Sequence, residues 1–126
     1  MRAQSGHIRF DKKVKYSDIL PIYRDVFERF LEETDQIPED EPEYAEVLVE
    51  QNLLDLRNNR KPEGYNRSGN MRMMFPISDD VEFYFYGRGN DSEVPRITEL
   101  VSKMLKKEGL EHEVEWDQML LYEMKK

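Results

Sequence analysis

The clearest hydrophobic pattern of the chain lies between Met71 and Arg88, where apolar and polar positions alternate. Alternation with a period of two is typical of a β-strand, because successive side chains point to opposite faces. Two apolar rows follow one another: Met71, Met73, Phe75 and Ile77, then Val81, Phe83 and Phe85. We therefore predict two strands that fold back on each other as a hairpin.

The length of the hairpin loop decides which side chains share a face. A shift of one residue turns every side chain of a strand to the other face. A loop of two residues would place Met73 opposite Tyr86, whereas a loop of three residues, 78–80, places Met73 opposite Phe85. The longer loop groups the most apolar side chains and suits aspartate, which tolerates the left-handed conformation that such a loop needs. We predict the loop of three residues.

The second face of the hairpin, called here the tyrosine face, is neither plainly polar nor plainly apolar. Its members are Arg72, Met74, Tyr84, Tyr86 and Arg88. Two aromatic rings spaced by two on a central strand can stack bases or a planar ligand. An exposed apolar patch can equally dock a protein partner, and a helix of the chain itself can cover the face. The pattern leaves these three interpretations open.

The N-terminal half predicts one strand and two helices. Ile8 and Phe10 alternate with polar residues and predict a short strand. A helix capped by Ser17 or Asp18 follows and extends to about residue 34, with Pro21 tolerated in its first turn. Its apolar residues fall at helical spacing: Ile19, Ile22, Val26, Phe27, Phe30 and Leu31.

The second predicted helix covers residues 43–59. Its apolar residues spread over more than half of its circumference, which is typical of a helix with more than one neighbour. A long loop, 58–70, separates it from the hairpin, with Gly64 and Gly69 as turn points.

The C-terminal part predicts a third helix and a last strand. Asp91 or Ser92 opens the helix, and Gly109 ends it. Alternation from Val114 to Met124 then predicts a strand, bulged near Asp117 and Gln118.

The resulting order is strand, helix, extra helix, strand, strand, helix, strand. With the second helix treated as an insertion, this is the ferredoxin-like α+β plan, β-α-(α)-β-β-α-β, in which an antiparallel sheet carries helices on one face. The length predicts a single domain, 1–126. The plan assigns no function, since unrelated functions share it.

The expected core is Phe83, Phe85, Phe75, Met73, Ile22, Val26, Phe30, Leu100, Val101, Met104 and Trp116.

The charge is strongly acidic and unevenly distributed. The net charge is −8, and residues 28–50 hold ten acidic residues and one basic one, Arg29. Residues 57–72 hold five basic residues against Glu63 alone. A chain with this balance disfavours nucleic acid, because binding to phosphates needs a basic field. We expect the acidic segment, including Glu43 and Glu46, to steer a basic protein partner.

Several kinds of chemistry have no support in the sequence. The chain has no cysteine and only two histidines, His7 and His112, which lack the spacing of a metal site. We expect no metal, no cofactor and no catalytic residue. With no apolar run long enough for a membrane span and no signal peptide, we expect a cytoplasmic protein that does not bind membranes.

These observations favour a small acidic, non-catalytic binding protein that acts through protein–protein interaction, of an inhibitor, immunity or regulatory type. The binding residues would be Glu43, Glu46 and the tyrosine face. The alternative is a protein that binds single-stranded RNA or a small anionic ligand on the open face of the sheet. Formation of a homodimer is left open by the sequence.

Overall fold

A five-stranded antiparallel sheet with helices packed on it forms the protein in the computed structural model, which describes residues 3–37, 42–67, 69–87 and 93–117. The elements are β1 Ser5–Phe10, α1 Tyr16–Glu33, α2 Pro42–Arg57, β2 Gly64–Tyr65, β3 Met71–Met74, β4 Glu82–Gly87, α3 Glu93–Lys107 and β5 His112–Trp116. The strands lie in the order β2-β3-β4-β1-β5. Without the short β2 and the extra helix α2, this is the predicted ferredoxin-like arrangement, and the α+β fold is confirmed.

The hairpin has the predicted register. Met73 lies opposite Phe85, as a loop of three residues requires. The paired part is shorter than expected, because β3 ends at Met74 and β4 begins only at Glu82. Pro76 has no amide to extend the ladder, and Ile77, counted in the apolar row, is 96% exposed near the end of the hairpin.

Aromatic side chains fill the core between the sheet and α1. Phe85 is fully buried, and its ring lies 5.4 Å from that of Phe30. Phe83 lies 5.3 Å from Phe75 in the same layer. Ring pairs at such distances add stabilisation beyond their burial. The apolar face predicted for the hairpin is therefore the one that packs under the helices.

The start of α1 differs from the prediction. The helix begins at Tyr16, and the amide of Lys15 donates to the carboxylate of Asp18 at 2.8 Å. Asp18 thus binds back to the residue before the helix instead of occupying the cap position itself. Pro21 consequently lies in the second turn, where it offers no amide to the carbonyl of Ser17.

The helix α3 lies very close to β1 and ends where the sequence indicates. A Cβ atom added to Gly6 would lie 2.0 Å from Oγ1 of Thr98, so only glycine fits beneath the helix. Gly109 has φ +75°, and the amide of Leu110 donates to the carbonyl of Leu105 at 3.1 Å. These are the features of a glycine-terminated helix. Asp91 and Ser92, predicted to open α3, lie outside the described residues.

Three residues expected in the core lie at its margin. Leu100, Met104 and Trp116 are half-buried. The row of α3 that faces the sheet keeps the expected Val101 and adds Val94, Ile97, Thr98 and Leu105, all fully buried. Leu100 and Met104 lie on the flank of that row, because they are rotated away from its centre by the helical spacing.

The helix α2 packs beside α1 and against the edge strand β2. It contributes four side chains to the same core as Phe83 and Phe85, namely Leu48, Val49, Leu53 and Leu56. Strand β2 lies within the predicted loop 58–70. Gly64 of β2 donates its amide to Oδ1 of Asn52 at 2.8 Å, and Nδ2 of Asn52 donates to the carbonyl of Gly64 at 3.2 Å. A loop of thirteen residues is thereby fixed to α2 at its middle.

The strand β5 is described up to Trp116, and Asp117 follows it with φ +55°. Asp117 fixes the start of the chain, since its carboxylate accepts the amide of Gln4 at 2.8 Å. The predicted continuation to Met124 lies outside the described residues.

Candidate functional site

Four predicted residues of the tyrosine face lie side by side on β3 and β4. Arg72 pairs with Tyr86 and Met74 with Tyr84, and all four side chains point away from α1. The fifth, Arg88, lies outside the described residues. The helix α2 has its main contacts with α1 and β2 and adds its side chains to the core under the opposite face of the sheet. The helix α2 therefore does not cover the tyrosine face, and this one of the three interpretations is wrong.

Tyr84 is nevertheless buried. Only 6% of it is exposed, and its ring stacks on that of His7 in the neighbouring strand β1, with 5.0 Å between the ring centroids. Its hydroxyl donates to the sulfur of Met74 at 3.4 Å. Burial raises the pKa of Tyr84 above its usual value. A base or planar ligand would find one face of this ring already occupied.

His7 is a central residue of this face that the sequence did not single out. It is 1% exposed, and its Nε2 lies 2.8 Å from the hydroxyl of Ser5, which is also fully buried. Burial lowers the pKa of His7 to about 4, although the charge of Asp117 acts in the opposite direction. The imidazole is therefore neutral at neutral pH. Because His7 alternates with the core residue Ile8, the pattern turns it to the face opposite the core. Nothing in the sequence indicated that this face of the sheet is buried at His7.

The exposed part of the tyrosine face is small and polar. Arg72, Met74 and Tyr86 are half-buried. The guanidinium of Arg72 donates to the side-chain oxygen of Asn66 at 3.2 Å, so one of its donors is used within the protein. These residues form the rim of a buried polar cluster and not an open aromatic platform.

A second surface is formed by the outer side of α2. Glu43 and Glu46, predicted from charge alone, lie there beside two apolar side chains that the core does not use. Val47 is 52% exposed and Leu54 is 51% exposed. The residues that line this shallow groove of about 460 Å³ are Glu43, Glu46, Val47, Glu50, Gln51 and Leu54. We call this surface the α2 face.

The charge of the α2 face is partly balanced from α1. One guanidinium nitrogen of Arg24 lies 3.0 Å from Glu46, and the other lies 2.5 Å from Glu50. Arg24 also contacts Glu28, one turn further along α1, at 3.2 Å. One cation thus serves three carboxylates, and the group keeps an excess of negative charge. Sequence reasoning missed Arg24, because its role depends on how α1 and α2 lie side by side.

The other predicted charges have different positions. Glu39, Asp40 and Glu41 of the acidic segment lie outside the described residues. In the basic segment, Arg67 lies over the ring of Tyr44 at 5.7 Å, and Lys61 donates to the carbonyl of Phe75 at 3.0 Å. These cations bind the protein's own surface.

The described part of the chain has neither a cluster of metal-ligating side chains nor a helix suited to a membrane. Across residues 3–37, 42–67, 69–87 and 93–117, no group of three or more His, Asp or Glu side chains could hold a metal ion. Within those same ranges, no helix is long and apolar enough to cross a membrane.

Comparisons with protein-family models, with curated proteins and with solved structures found no match to this chain.

Proposed function

We propose that the chain is a binding protein that acts through protein–protein interaction, and that the α2 face receives a basic, amphipathic segment of its partner. The observation that supports this most directly is the pair Val47 and Leu54, each about half exposed among carboxylates. Four other large apolar side chains of α2 are buried in the core. The outer pair is therefore not needed for the packing of α2.

The spacing of the pair suits a helical partner. Val47 and Leu54 are seven residues apart, which places them two turns apart on one face of α2. Grooves that bind an amphipathic helix contact apolar side chains at such intervals. Full burial of an aliphatic side chain is worth about 1.5–3 kcal/mol, so covering the exposed half of each would contribute about 1 kcal/mol. Two such contacts need help from charge to give a stable complex.

The carboxylates of the α2 face supply that charge. Glu43 has no ion pair among the described residues, and Glu46 and Glu50 share Arg24. Lysine or arginine side chains beside the apolar side chains of a partner would find these carboxylates on either side of Val47. Complementary charge speeds encounter and selects against acidic partners. With a net charge of −8, the whole protein adds to the attraction.

This mode of binding suits a small inhibitor or regulator of a basic protein. The tyrosine face gives less support for a role in binding RNA or a small anion, because Tyr84 is buried against His7.

The test begins with a partner captured by the wild-type protein from its native cells. Val47→Ser combined with Leu54→Ser should lose that partner, and Glu43→Lys combined with Glu46→Lys should also lose it. The matched control is Glu99→Lys combined with Glu108→Lys, which changes the net charge by the same amount. Both residues are exposed; Glu99 lies in α3 and Glu108 directly follows it. Circular dichroism verifies that each variant is folded.

Binding kinetics then separate steering from packing. The association rate should fall about tenfold for the α2-face charge reversals and should fall with rising salt, whereas the control pair should change it little. An acidic partner would contradict the proposal, and so would a basic partner that both α2-face variants still bind normally.

A further inference from the structure

We infer that a second site, a cleft of about 640 Å³ at one end of the sheet, binds a small zwitterion such as a di- or tripeptide with free termini. Three connections meet at this cleft: the one after β1, the one between β3 and β4, and the one between α3 and β5. They contribute Lys12, Asp80 and Glu111 respectively. The volume lies within the range of about 300–1,000 Å³ that is usual for small-molecule sites. None of its residues belongs to the α2 face.

The apolar part of the cleft is rigid. Phe10 is 2% exposed, and its ring lies 6.0 Å from that of His112. Nδ1 of His112 lies 2.8 Å from the carbonyl of Leu110, and its Nε2 lies 2.6 Å from the hydroxyl of Ser102. Because a carbonyl only accepts, Nδ1 carries the proton, and in the neutral ring Nε2 accepts from Ser102. Both nitrogens are used, so the imidazole is held as a wall of the cleft.

The charges around the cleft decide the class of ligand. Arg9 is paired with Glu113 and Glu115 across the sheet. The carboxylate of Asp11 accepts the amide of Lys13 at 3.1 Å and closes the turn after β1.

After these pairs are formed, two cations and three carboxylates line the cleft without an ion pair among the described residues, because Asp11 accepts a backbone amide and contacts no cation. They are Lys12, Lys106, Asp11, Asp80 and Glu111. A ligand with a single charge would meet repulsive groups as well as attractive ones, since an anion faces three carboxylates and a cation faces two lysines. A zwitterion satisfies both signs at once, with its carboxylate at the lysines and its ammonium at the acidic side chains. The partly buried Leu110 offers an apolar surface to a side chain between the two ends, with the buried ring of Phe10 behind it.

The probe is the tripeptide Ala-Leu-Ala, titrated at millimolar concentration into the full-length protein while amide NMR shifts are recorded. Saturable shifts should concentrate at residues 10–12, 80 and 110–113. The N-acetylated peptide lacks the ammonium, and the C-amidated peptide lacks the carboxylate. Each should bind about two- to fivefold more weakly, which is the effect of one exposed ion pair.

Matched variants verify the site. Asp80→Asn should weaken binding of the free peptide, whereas its exposed neighbour changed by Asp79→Asn should not. Lys106→Gln should also weaken binding of the free peptide. Its control is Lys103→Gln, at an exposed position of α3, which should leave binding unchanged. The inference is overturned if no shifts saturate, if blocked and free peptides bind equally, or if the control variants weaken binding as much as the cleft variants do.

Discussion

Acidification should destabilise this protein through His7 from about pH 6.5 downward, where its carboxylates are still ionised. The pKa of this buried imidazole is about 4, against an ordinary value of 6.5 in the unfolded chain. The unfolded state therefore binds the proton more readily, and the stabilisation is complete above pH 6.5 and lost as the pH falls toward 4. Between the two pKa values, each unit by which the pH falls lowers the free energy of unfolding by about 1.36 kcal/mol. The loss at pH 4 should thus approach about 3 kcal/mol, with little reduction by solvent because His7 is 1% exposed.

Urea denaturation between neutral pH and pH 4.5 measures this loss. The wild-type protein should lose stability over that interval more steeply than His7→Gln, which has no imidazole to protonate. Ser5→Ala removes the hydroxyl next to Nε2 but keeps the buried imidazole, so it should keep the steep slope. Carboxylates other than Asp117, whose charge acts on His7, contribute equally to all three proteins and cancel in the comparison. Equal slopes for the wild type and His7→Gln, or an NMR titration of His7 near its ordinary pKa, would refute the reasoning.

Three further changes test the core by urea denaturation. Phe85→Ala should cost about 3–5 kcal/mol, because the ring is fully buried; an unchanged midpoint would contradict the hairpin register. Tyr23→Phe should stabilise by about 1 kcal/mol, since the buried hydroxyl has no hydrogen-bond partner among the described residues. Burial also raises the pKa of Tyr23 well above 10, so the wild type should lose stability above that pH and Tyr23→Phe should lose less. Gly6→Ala should cost about 1–3 kcal/mol because the added methyl group collides with Thr98. A midpoint equal to that of the wild type would show that α3 can move away.

The fold was largely predictable because its strongest sequence patterns are local. Alternation along residues 71–86 marks both faces of the hairpin, so it fixed the strands and their register together. Gly109 ended α3 as expected, because a left-handed terminal residue is a property of the backbone alone. Strand β2 was missed, since two residues cannot show a period; its position depends on the side chain of Asn52.

The candidate surfaces depended on neighbours that are distant in sequence. The residues that the sequence predicted for the tyrosine face do share one face, but Tyr84 is buried there with its ring stacked on His7, 77 positions earlier in the chain. The wide apolar arc of α2 predicted several neighbours without saying on which side of the sheet they would lie. Packing beside α1 then decided that Leu48 and Leu56 face inward, that Val47 and Leu54 face outward, and that Arg24 meets Glu46. Local periodicity determines which residues share a face of an element, whereas exposure and charge pairing are decided only when the elements pack together.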